Sequence, residues 1–361
     1  MNRSDLHQLQ AMRDYPSLSI ITPTHRTSPD NLQDPIRVKN LVTEATNQLH
    51  DQFSKREVEP LLERLNTLVG QIDWHHTLDG MALFVSKDFG GHFDLPFPVT
   101  ERVVVDESFG TRELVFSMNR SPRYHVLVLS EHRTHLFEAV RDQLRESRVG
   151  GFPLEHEGSE EVRGLPGGHG VHEAGYRDES DRHFFHHIDA ELSKMQEHDP
   201  LPVVVTGVTR SLALWDELSS NKASLAGTLG GSYEDTHAHE LGQLVWPVME
   251  EFMARDRAQI LDELGEAIGA QKYAGGMDEL WTLALEGRGA TLLVEEDFHY
   301  MGEVRPNGML MATTENPVGD ETLVDVVDDL IEMVLSKSGR VVFVDNGSLE
   351  ANGGIALILR Y

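Results

Sequence analysis

The sequence predicts a mixed α/β (α+β) protein with three domains, and three observations support this fold class. Strand-like and helical apolar patterns alternate along residues 1–120 and again along residues 259–361. Between these two parts, residues 155–182 are rich in glycine and acidic residues and lack any apolar period. A chain of 361 residues is long enough for two or three domains that each bury a core.

The first predicted domain covers residues 1–120. Its predicted elements are a strand at 17–22, helices at 38–49 and 58–68, and strands at 81–85 and 102–105. Asp34 is a good N-cap residue and Pro35 a good first residue for the first of these helices. The polar segment Pro23-Thr24-His25-Arg26 follows directly after the opening strand.

The second predicted domain covers residues 121–258. It is expected to hold strands at 124–129, 134–140 and 203–205, and helices at 183–192, 209–218 and 241–252. Pro247 is expected to kink the last of these helices. The loop at 155–182 is unusually long for a compact domain, and such loops are usually functional or disordered.

The third predicted domain covers residues 259–361. It is expected to hold helices at 278–285 and 323–334 and strands at 290–294, 341–344 and 355–359. Gly339 closes the second helix, and turn residues separate the last two strands. The pattern predicts a sheet flanked by helices.

The net charge of −29 argues against a protein that coats nucleic acid uniformly, since phosphate repels such a chain. The charge is uneven, however. Residues 1–120 hold 12 basic and 17 acidic residues, residues 121–258 hold 13 and 24, and residues 259–361 hold 6 and 19. The first domain is therefore the best candidate for an RNA contact, and the last is better suited to a protein partner.

Several functional classes are excluded or disfavoured by residue content. The chain has no cysteine, which excludes disulfides, thiolate metal sites and cysteine nucleophiles. Phosphate-loop, dinucleotide-binding, H-E-x-x-H and G-x-S-x-G motifs are absent from the sequence. No apolar run is long enough to span a membrane, and no secretory signal opens the chain. We expect a cytoplasmic protein with no membrane contact, no cofactor and no resident metal.

The candidate RNA-binding residues lie at the end of the first strand and at the start of the next helix. They are Pro23, Thr24, His25, Arg26, Arg37 and Lys39. Loops that follow strand ends commonly carry binding sites, and cationic groups there could contact phosphate. The alternative is a surface loop whose arginines pair with neighbouring carboxylates.

A histidine cluster and a glycine pair give two further candidates. His169, His172, His183, His186 and His187 lie close in sequence, and His183 and His187 share one helix face, as a metal site would require. The alternative is a set of exposed polar side chains. Gly167 and Gly168, followed by His169, allow close backbone approach to a ligand, or they form a flexible loop tip.

Several motifs, in order along nearly the whole chain, resemble a known superfamily. They include SIITPTHRTSPDNLQDPIRVKNLVTEA (Ser19–Ala45), LPFPVTERVVVDESF (Leu95–Phe109), YHVLVLSEHRTHLFEA (Tyr124–Ala139), LWTLALEGRGATLLVEED (Leu280–Asp297) and GGIALILRY (Gly353–Tyr361). The chain resembles the class I release factor and Pelota superfamily, specifically its bacterial branch, the bacterial archaeo-eukaryotic release factor family.

This resemblance implies a role for each domain. The first would lie near the ribosomal decoding site and contact ribosomal RNA or tRNA. The middle domain would reach the peptidyl transferase centre through its loop. The last, an α/β/α sandwich, would dock a translational GTPase.

The loop departs from the pattern of the peptide-releasing members. Those members carry Gly-Gly-Gln, whereas Gly167 and Gly168 precede His169 here, among many acidic residues. The sequence therefore favours ribosome rescue, a stalling response or dormancy through A-site binding, more as a binding protein than as an enzyme. Two alternatives remain: a peptidyl-tRNA hydrolase that uses Gly167, Gly168 and His169, and a stress-linked interaction protein no longer on the ribosome.

Overall fold

The computed structural model describes residues 3–156, 172–304, 310–312 and 324–361. The chain forms two compact units. One combines an N-terminal segment, residues 1–120, with a C-terminal segment, residues 262–361; the other is a middle unit, residues 121–261. The predicted boundary at residues 120 and 121 coincides with a unit boundary, and the division into three domains stays a prediction.

The N-terminal segment is a four-stranded antiparallel sheet with helices. Its elements are α1 (Arg3–Ala11), β1 (Ser17–Pro23), α2 (Asp34–Gln52), α3 (Lys55–Gly70), β2 (Gly80–Val85), β3 (Gly90–Leu95), β4 (Arg102–Asp106) and α4 (Arg112–Arg120). The strand order is β3-β2-β1-β4. Because successive side chains of a strand point to opposite faces, the sheet has two apolar faces. Leu18, Ile20 and Leu83 pack with α2 and α3 on one face.

The opposite face of this sheet contributes to a core shared with the C-terminal segment. Ile21, Ala82 and Phe84 on this face belong to the same buried cluster as α1, α4 and residues of the C-terminal segment. The two segments are thus parts of one apolar core, although they lie at opposite ends of the sequence.

The middle unit is built on a mixed sheet. Its elements are β5 (Arg123–Val128), β6 (Arg133–Val140), β7 (Gln143–Glu146), β8 (Leu154–Glu155), α5 (His172–His198), β9 (Val203–Gly207), α6 (Thr209–Leu218), β10 (Leu225–Gly230) and the start of α7 (Ala238–Gly269). The strand order is β10-β9-β5-β6-β7, with β8 paired to β6. β5, β9 and β10 are parallel. Helices α5 and α6 cover one face, and α7 covers the other.

The loop predicted over residues 155–182 does not extend to residue 182 in the structure. β8 ends at Glu155 and α5 begins at His172, so residues 172–182 are helical and this part of the prediction is wrong. The first turns of α5 consist mainly of polar residues, so no apolar stripe marks them in the sequence.

The C-terminal segment contains a second sheet with the order β11-β17-β12-β16. Its elements are β11 (Tyr273–Gly275), α8 (Met277–Leu285), β12 (Gly289–Glu295), β13 (Met301–Val304), β14 (Leu310–Ala312), β15 (Val324–Asp325), α9 (Val326–Ser336), β16 (Arg340–Val344) and β17 (Ile355–Leu359). Leu292 and Leu293 are both fully buried although they point to opposite sheet faces. Both faces are therefore covered.

The mixed α/β class that the sequence predicts is confirmed. Among the described residues, no helix has both the length and the apolar composition that a membrane span requires.

Candidate functional site

The predicted RNA-contacting segment lies where β1 ends and is held by the turn before β2. β1 and β2 pair so that Pro23 lies opposite Gly80, which brings residues 77–79 beside residues 24–26. Thr24 is buried, and its hydroxyl donates to the Leu78 carbonyl at 2.8 Å. The Thr77 hydroxyl donates to the His25 carbonyl at 3.0 Å. Backbone pairing thus fixes this segment as a defined surface.

A buried carboxylate, Asp34, organises the same region. Its side chain accepts a hydrogen bond from the His25 backbone N–H at 2.7 Å and lies 2.8 Å from His25 Nδ1. Arg37 Nη1 donates to Asp34 Oδ1 at 3.1 Å. The sequence predicts Asp34 as the N-cap of α2, but the helix already includes Asp34, and its side chain bonds to the preceding loop instead. Asp34 therefore joins the start of α2 to the end of β1.

The two arginines of this region are paired with carboxylates. Arg26 donates through Nε and Nη2 to both carboxylate oxygens of Asp79, at 2.8 and 2.7 Å. Arg37 Nε lies 3.8 Å from Glu101 in addition to its bond with Asp34. Their side chains remain 43% and 29% exposed. These carboxylates offset most of the positive charge of the two arginines. Such pairing is what the alternative interpretation of the sequence, a surface loop with arginine–carboxylate pairs, describes.

Lys39 differs from the arginines. It is exposed on α2, and within residues 3–156 and the other described ranges its ammonium group pairs with no carboxylate. The structure thus brings Pro23, Thr24, His25, Arg26 and Arg37 together around Asp34 and Asp79, with Lys39 on the following helical turn.

Sequence reasoning missed the acidic partners of this site, Asp34 and Asp79. The sequence pattern predicts Asp34 only as a helix cap and assigns no role to Asp79. The position of Asp79 follows from the antiparallel pairing of β1 with β2: Gly80 lies opposite Pro23, so Asp79 lies beside the end of β1.

Gly167, Gly168 and His169 lie outside the described residues. The described chain on either side ends at His156 and resumes at His172. His156 Nε2 lies 3.0 Å from the Ser180 hydroxyl, and Nδ1 lies 3.1 Å from the Glu131 carbonyl. The imidazole stacks on Phe184, with ring centroids 4.7 Å apart. These contacts tie the end of β8 to α5.

A small pocket lined by both polar and apolar side chains lies beside His156, near the carboxyl ends of β5 and β9. It has a volume of about 20 Å³, which is room for a single water molecule. Its lining includes Ser130, His156, Asp181, Arg210 and Ser211. Asp181 accepts from Arg210 at 2.9 Å. The pocket is too small for an organic substrate.

The histidines of α5 do not form a metal centre with other described residues. His183, His186 and His187 are exposed on the helix. Across the part of the chain that the structure describes, no group of three His, Asp or Glu side chains could hold a metal ion. His169 lies outside that part, and the structure does not describe the side chain of His172.

Comparisons with solved structures give distant likenesses. Dom34 of S. cerevisiae, a translation termination-like factor, is 16% identical with a TM-score of 0.45, over 77% of this chain and 74% of that one. An archaeal Pelota, from a model of ribosome-bound Pelota and ABCE1, is 11% identical with a TM-score of 0.45, over 99% and 94%. The archaeal termination factor aRF1 is 17% identical with a TM-score of 0.26, over 100% and 99%. At these scores, the likenesses carry no argument about function.

A family comparison gives the stronger result. Residues 123–288, just under half of the chain, match the model of the bacterial archaeo-eukaryotic release factor family 3. No curated protein matches the chain. The matched region covers the middle unit from residue 123 onward and continues past the end of α8. Over these residues the chain is similar to the bacterial archaeo-eukaryotic release factor family 3, in agreement with the resemblance noted in the sequence.

Proposed function

We propose that this protein is a release-factor-like, ribosome-associated protein that acts in ribosome rescue, a stalling response or dormancy by binding the ribosomal A site. The observation that carries this proposal is the family match over residues 123–288. The low excess of acidic residues in residues 1–120 supports an RNA contact in that part of the chain.

The RNA contact is proposed for the end of β1 and the start of α2. Lys39 is exposed and available to a phosphate group. Arg26 presents a guanidinium that already makes two parallel hydrogen bonds to Asp79, and a phosphate accepts the same two bonds. On contact with RNA, the Arg26 guanidinium would therefore exchange the Asp79 carboxylate for a phosphate. In the free protein, Asp79 competes with RNA for Arg26.

The protein contact is proposed for the C-terminal segment. Residues 259–361 hold 19 acidic and 6 basic residues, so RNA would be repelled there and a basic protein surface attracted. A translational GTPase is the partner class that fits a release-factor-like protein.

Binding, rather than peptide release, is the proposed activity. His169 stands where the peptide-releasing members have glutamine, and the flanking residues include Glu160, Glu161 and Glu173. Carboxylates in this number disfavour entry into a tunnel lined with RNA.

Co-sedimentation with vacant and stalled ribosomes at low salt tests the proposal. We expect the parent protein in the ribosome fraction, and we expect Lys39→Glu and Arg26→Glu to weaken binding by about tenfold each, since each replaces a cation by an anion at a phosphate contact. Lys87→Glu is the matched control, because Lys87 is exposed after β2, at the opposite end of that strand from Gly80.

Absence of the parent from the ribosome fraction at low salt would refute the proposal. If Lys87→Glu weakens ribosome binding as much as Lys39→Glu and Arg26→Glu do, the assigned RNA surface is refuted. The proposal that the protein binds the ribosome would still stand. A peptidyl-ester release assay with Gly168→Ala addresses the enzymatic alternative: hydrolysis that the variant abolishes would replace binding by peptide release as the main activity.

A further inference from the structure

The N-terminal and C-terminal segments share one apolar core, to which α4, α9 and β16 all contribute. Leu114 and Val115 belong to the same buried cluster as Val327 and Ile331. The rings of Phe116 and Phe343 lie 5.1 Å apart, edge to face. Charged side chains surround this apolar contact, and their arrangement determines how it responds to pH.

Four arginines of the N-terminal segment reach across to the C-terminal segment: Arg120 pairs with Asp345, and the other three lie at α9 or at its N-cap. Arg13 Nη2 lies 3.1 Å from Glu332 Oε1, and Arg102 Nη2 lies 3.1 Å from Asp328 Oδ2. Arg112 is 95% buried; its Nη1 donates to Asp325 at 3.1 Å and its Nη2 to the Phe298 carbonyl at 2.6 Å. The segments are thus joined by hydrogen-bonded charges as well as by apolar packing.

The carboxylates at this contact outnumber the arginines. They are Asp106, Glu113, Asp325, Asp328, Asp329 and Glu332. The side chain of Asp328 is only 17% exposed, and its Oδ1 is buried with no hydrogen-bond partner among the described residues. Arg102 is shared between Asp328 and Glu113, so it does not fully compensate either carboxylate.

Two of these carboxyls are poorly suited to the ionised state. Burial raises the pKa of Asp328 to about 7, and Glu113 and Asp325 add to this rise while Arg102 and Arg112 oppose it. Burial also raises the pKa of Asp329 to about 7; Asp106, Glu332 and Asp325 add to it, and Arg13 opposes it.

The charged groups that face these two carboxyls come from four places in the fold. They are Arg13 after α1, Arg102 and Asp106 of β4, Arg112 and Glu113 of α4, and Asp325 and Glu332 at the N-cap and in the body of α9. Asp325 behaves in the opposite way. Burial alone would raise its pKa, but bonds from His299 and Tyr300 and the charge of Arg112 outweigh burial, and its pKa is lowered.

We propose that the contact between α9 and the N-terminal segment is a proton-linked joint, held tightly when Asp328 and Asp329 are protonated and loosened when both ionise. The joint consists of Arg13, Arg102, Arg112, Asp328, Asp329 and Glu332. With such a joint, the packing of the C-terminal segment against the N-terminal segment depends on pH within the range found in cells.

The direction follows from proton binding. When the joint opens, water solvates both carboxyls and their pKa returns to the ordinary value of 3.8. The closed joint therefore binds more protons than the open one between pH 4 and 7, so raising the pH through 7 favours opening. For one carboxyl with a pKa of about 7 in the closed joint and 3.8 in the open one, the ratio of open to closed molecules rises by about tenfold from pH 6 to pH 8.

Hydrogen exchange measured by mass spectrometry on the full chain tests the proposal. Exchange rates of peptides from α4 and α9, corrected for intrinsic rates, are compared at pH 6 and pH 8. We expect protection in these peptides to fall by about tenfold or more in the parent and by less than about threefold in the double variant Asp328→Asn/Asp329→Asn. Peptides from α6 in the middle unit should keep constant protection.

Asp278→Asn is the matched control. Asp278 is an exposed residue in the first turn of α8, as Asp328 and Asp329 are in the first turn of α9, so the substitution removes the same helix-terminus charge without touching the joint. It should retain the pH dependence of the parent.

Two results would overturn the proposal: equal protection of α4 and α9 at pH 6 and pH 8 in the parent, or an unchanged pH dependence in the double variant. If the double variant does not fold, carboxyl titration of the parent by NMR decides the matter. Two aspartates with midpoints near pH 7 support the joint, and midpoints below pH 5 for all aspartates refute it.

Discussion

At the scale of single residues, Asp34 is the group on which the candidate RNA surface depends. It is fully buried and holds both the loop after β1 and Arg37. Asp34→Asn replaces an acceptor oxygen by a donor that faces the His25 N–H or Arg37, and we expect a loss of about 3 kcal/mol in unfolding free energy.

Urea unfolding measures this loss, with Asp30→Asn as control, because Asp30 is exposed in the same loop. Equal stability of the two variants would show that Asp34 does not hold the loop.

Asp189 is the corresponding residue of the middle unit. Its carboxylate accepts hydrogen bonds from the hydroxyls of Ser219 and Ser220 and from the Asn221 amide, each at 2.7 Å. Burial alone would raise its pKa, but these bonds outweigh burial and the pKa is lowered. The stability that Asp189 contributes is therefore present above pH 4 and is lost as the pH falls through its folded-state pKa.

We expect Asp189→Asn to lower the unfolding free energy at pH 7 by about 1–3 kcal/mol, and to reduce the further loss below pH 4. Urea unfolding at pH 7 and pH 3 checks this, with the exposed Asp216→Asn as the control. A parallel acid response in Asp189→Asn and in the parent would contradict it.

At the scale of elements, α7 offers two glycines in opposite surroundings. A Cβ added to Gly242 would lie 1.9 Å from the Asp142 carbonyl oxygen, whereas one added to Gly265 has nothing within 4 Å. Gly242 thus permits α7 to pack against the turn between β6 and β7, and Gly265 only weakens the helix.

We expect Gly242→Ala to cost about 1–3 kcal/mol through displacement of the helix, and Gly265→Ala to gain up to about 1 kcal/mol through helix propensity. Urea midpoints of the two variants measure the difference. A stabilising Gly242→Ala would mean that α7 does not approach this turn.

Elements with a regular apolar period could be predicted from sequence, whereas polar and long-range features could not. The stripe from Val38 to Leu49 is helical and buried as predicted. The first turns of α5 lack such a stripe, so the helical start at His172 was missed. The candidate site was located by its cations, but its buried partners Asp34 and Asp79 depend on strand register, which one-dimensional patterns do not determine.

At the scale of the whole molecule, one unit is discontinuous in sequence. Its core takes Leu114 from the N-terminal segment and Leu330 from the C-terminal segment. We expect a fragment of residues 1–261 to lose hydrogen-exchange protection throughout β1, β2 and α4, since one face of their sheet is then uncovered.

The middle unit serves as the internal control in that fragment, and β5 and β9 should remain protected. Full protection of β1 and β2 without residues 262–361 would show that the N-terminal segment folds by itself.

The discontinuous core has a consequence for synthesis. Residues 121–361 must follow the N-terminal segment out of the ribosome before that segment can bury its second sheet face. At synthesis rates of about 5–20 residues per second, this delay is roughly 10–50 seconds. During that time the apolar side chains of Ile21 and Phe84 lack their final neighbours, and we expect chaperones to bind the apolar surface that remains exposed. Force-sensitive arrest reporters along the chain should detect folding of the middle unit before that of the segment synthesised first.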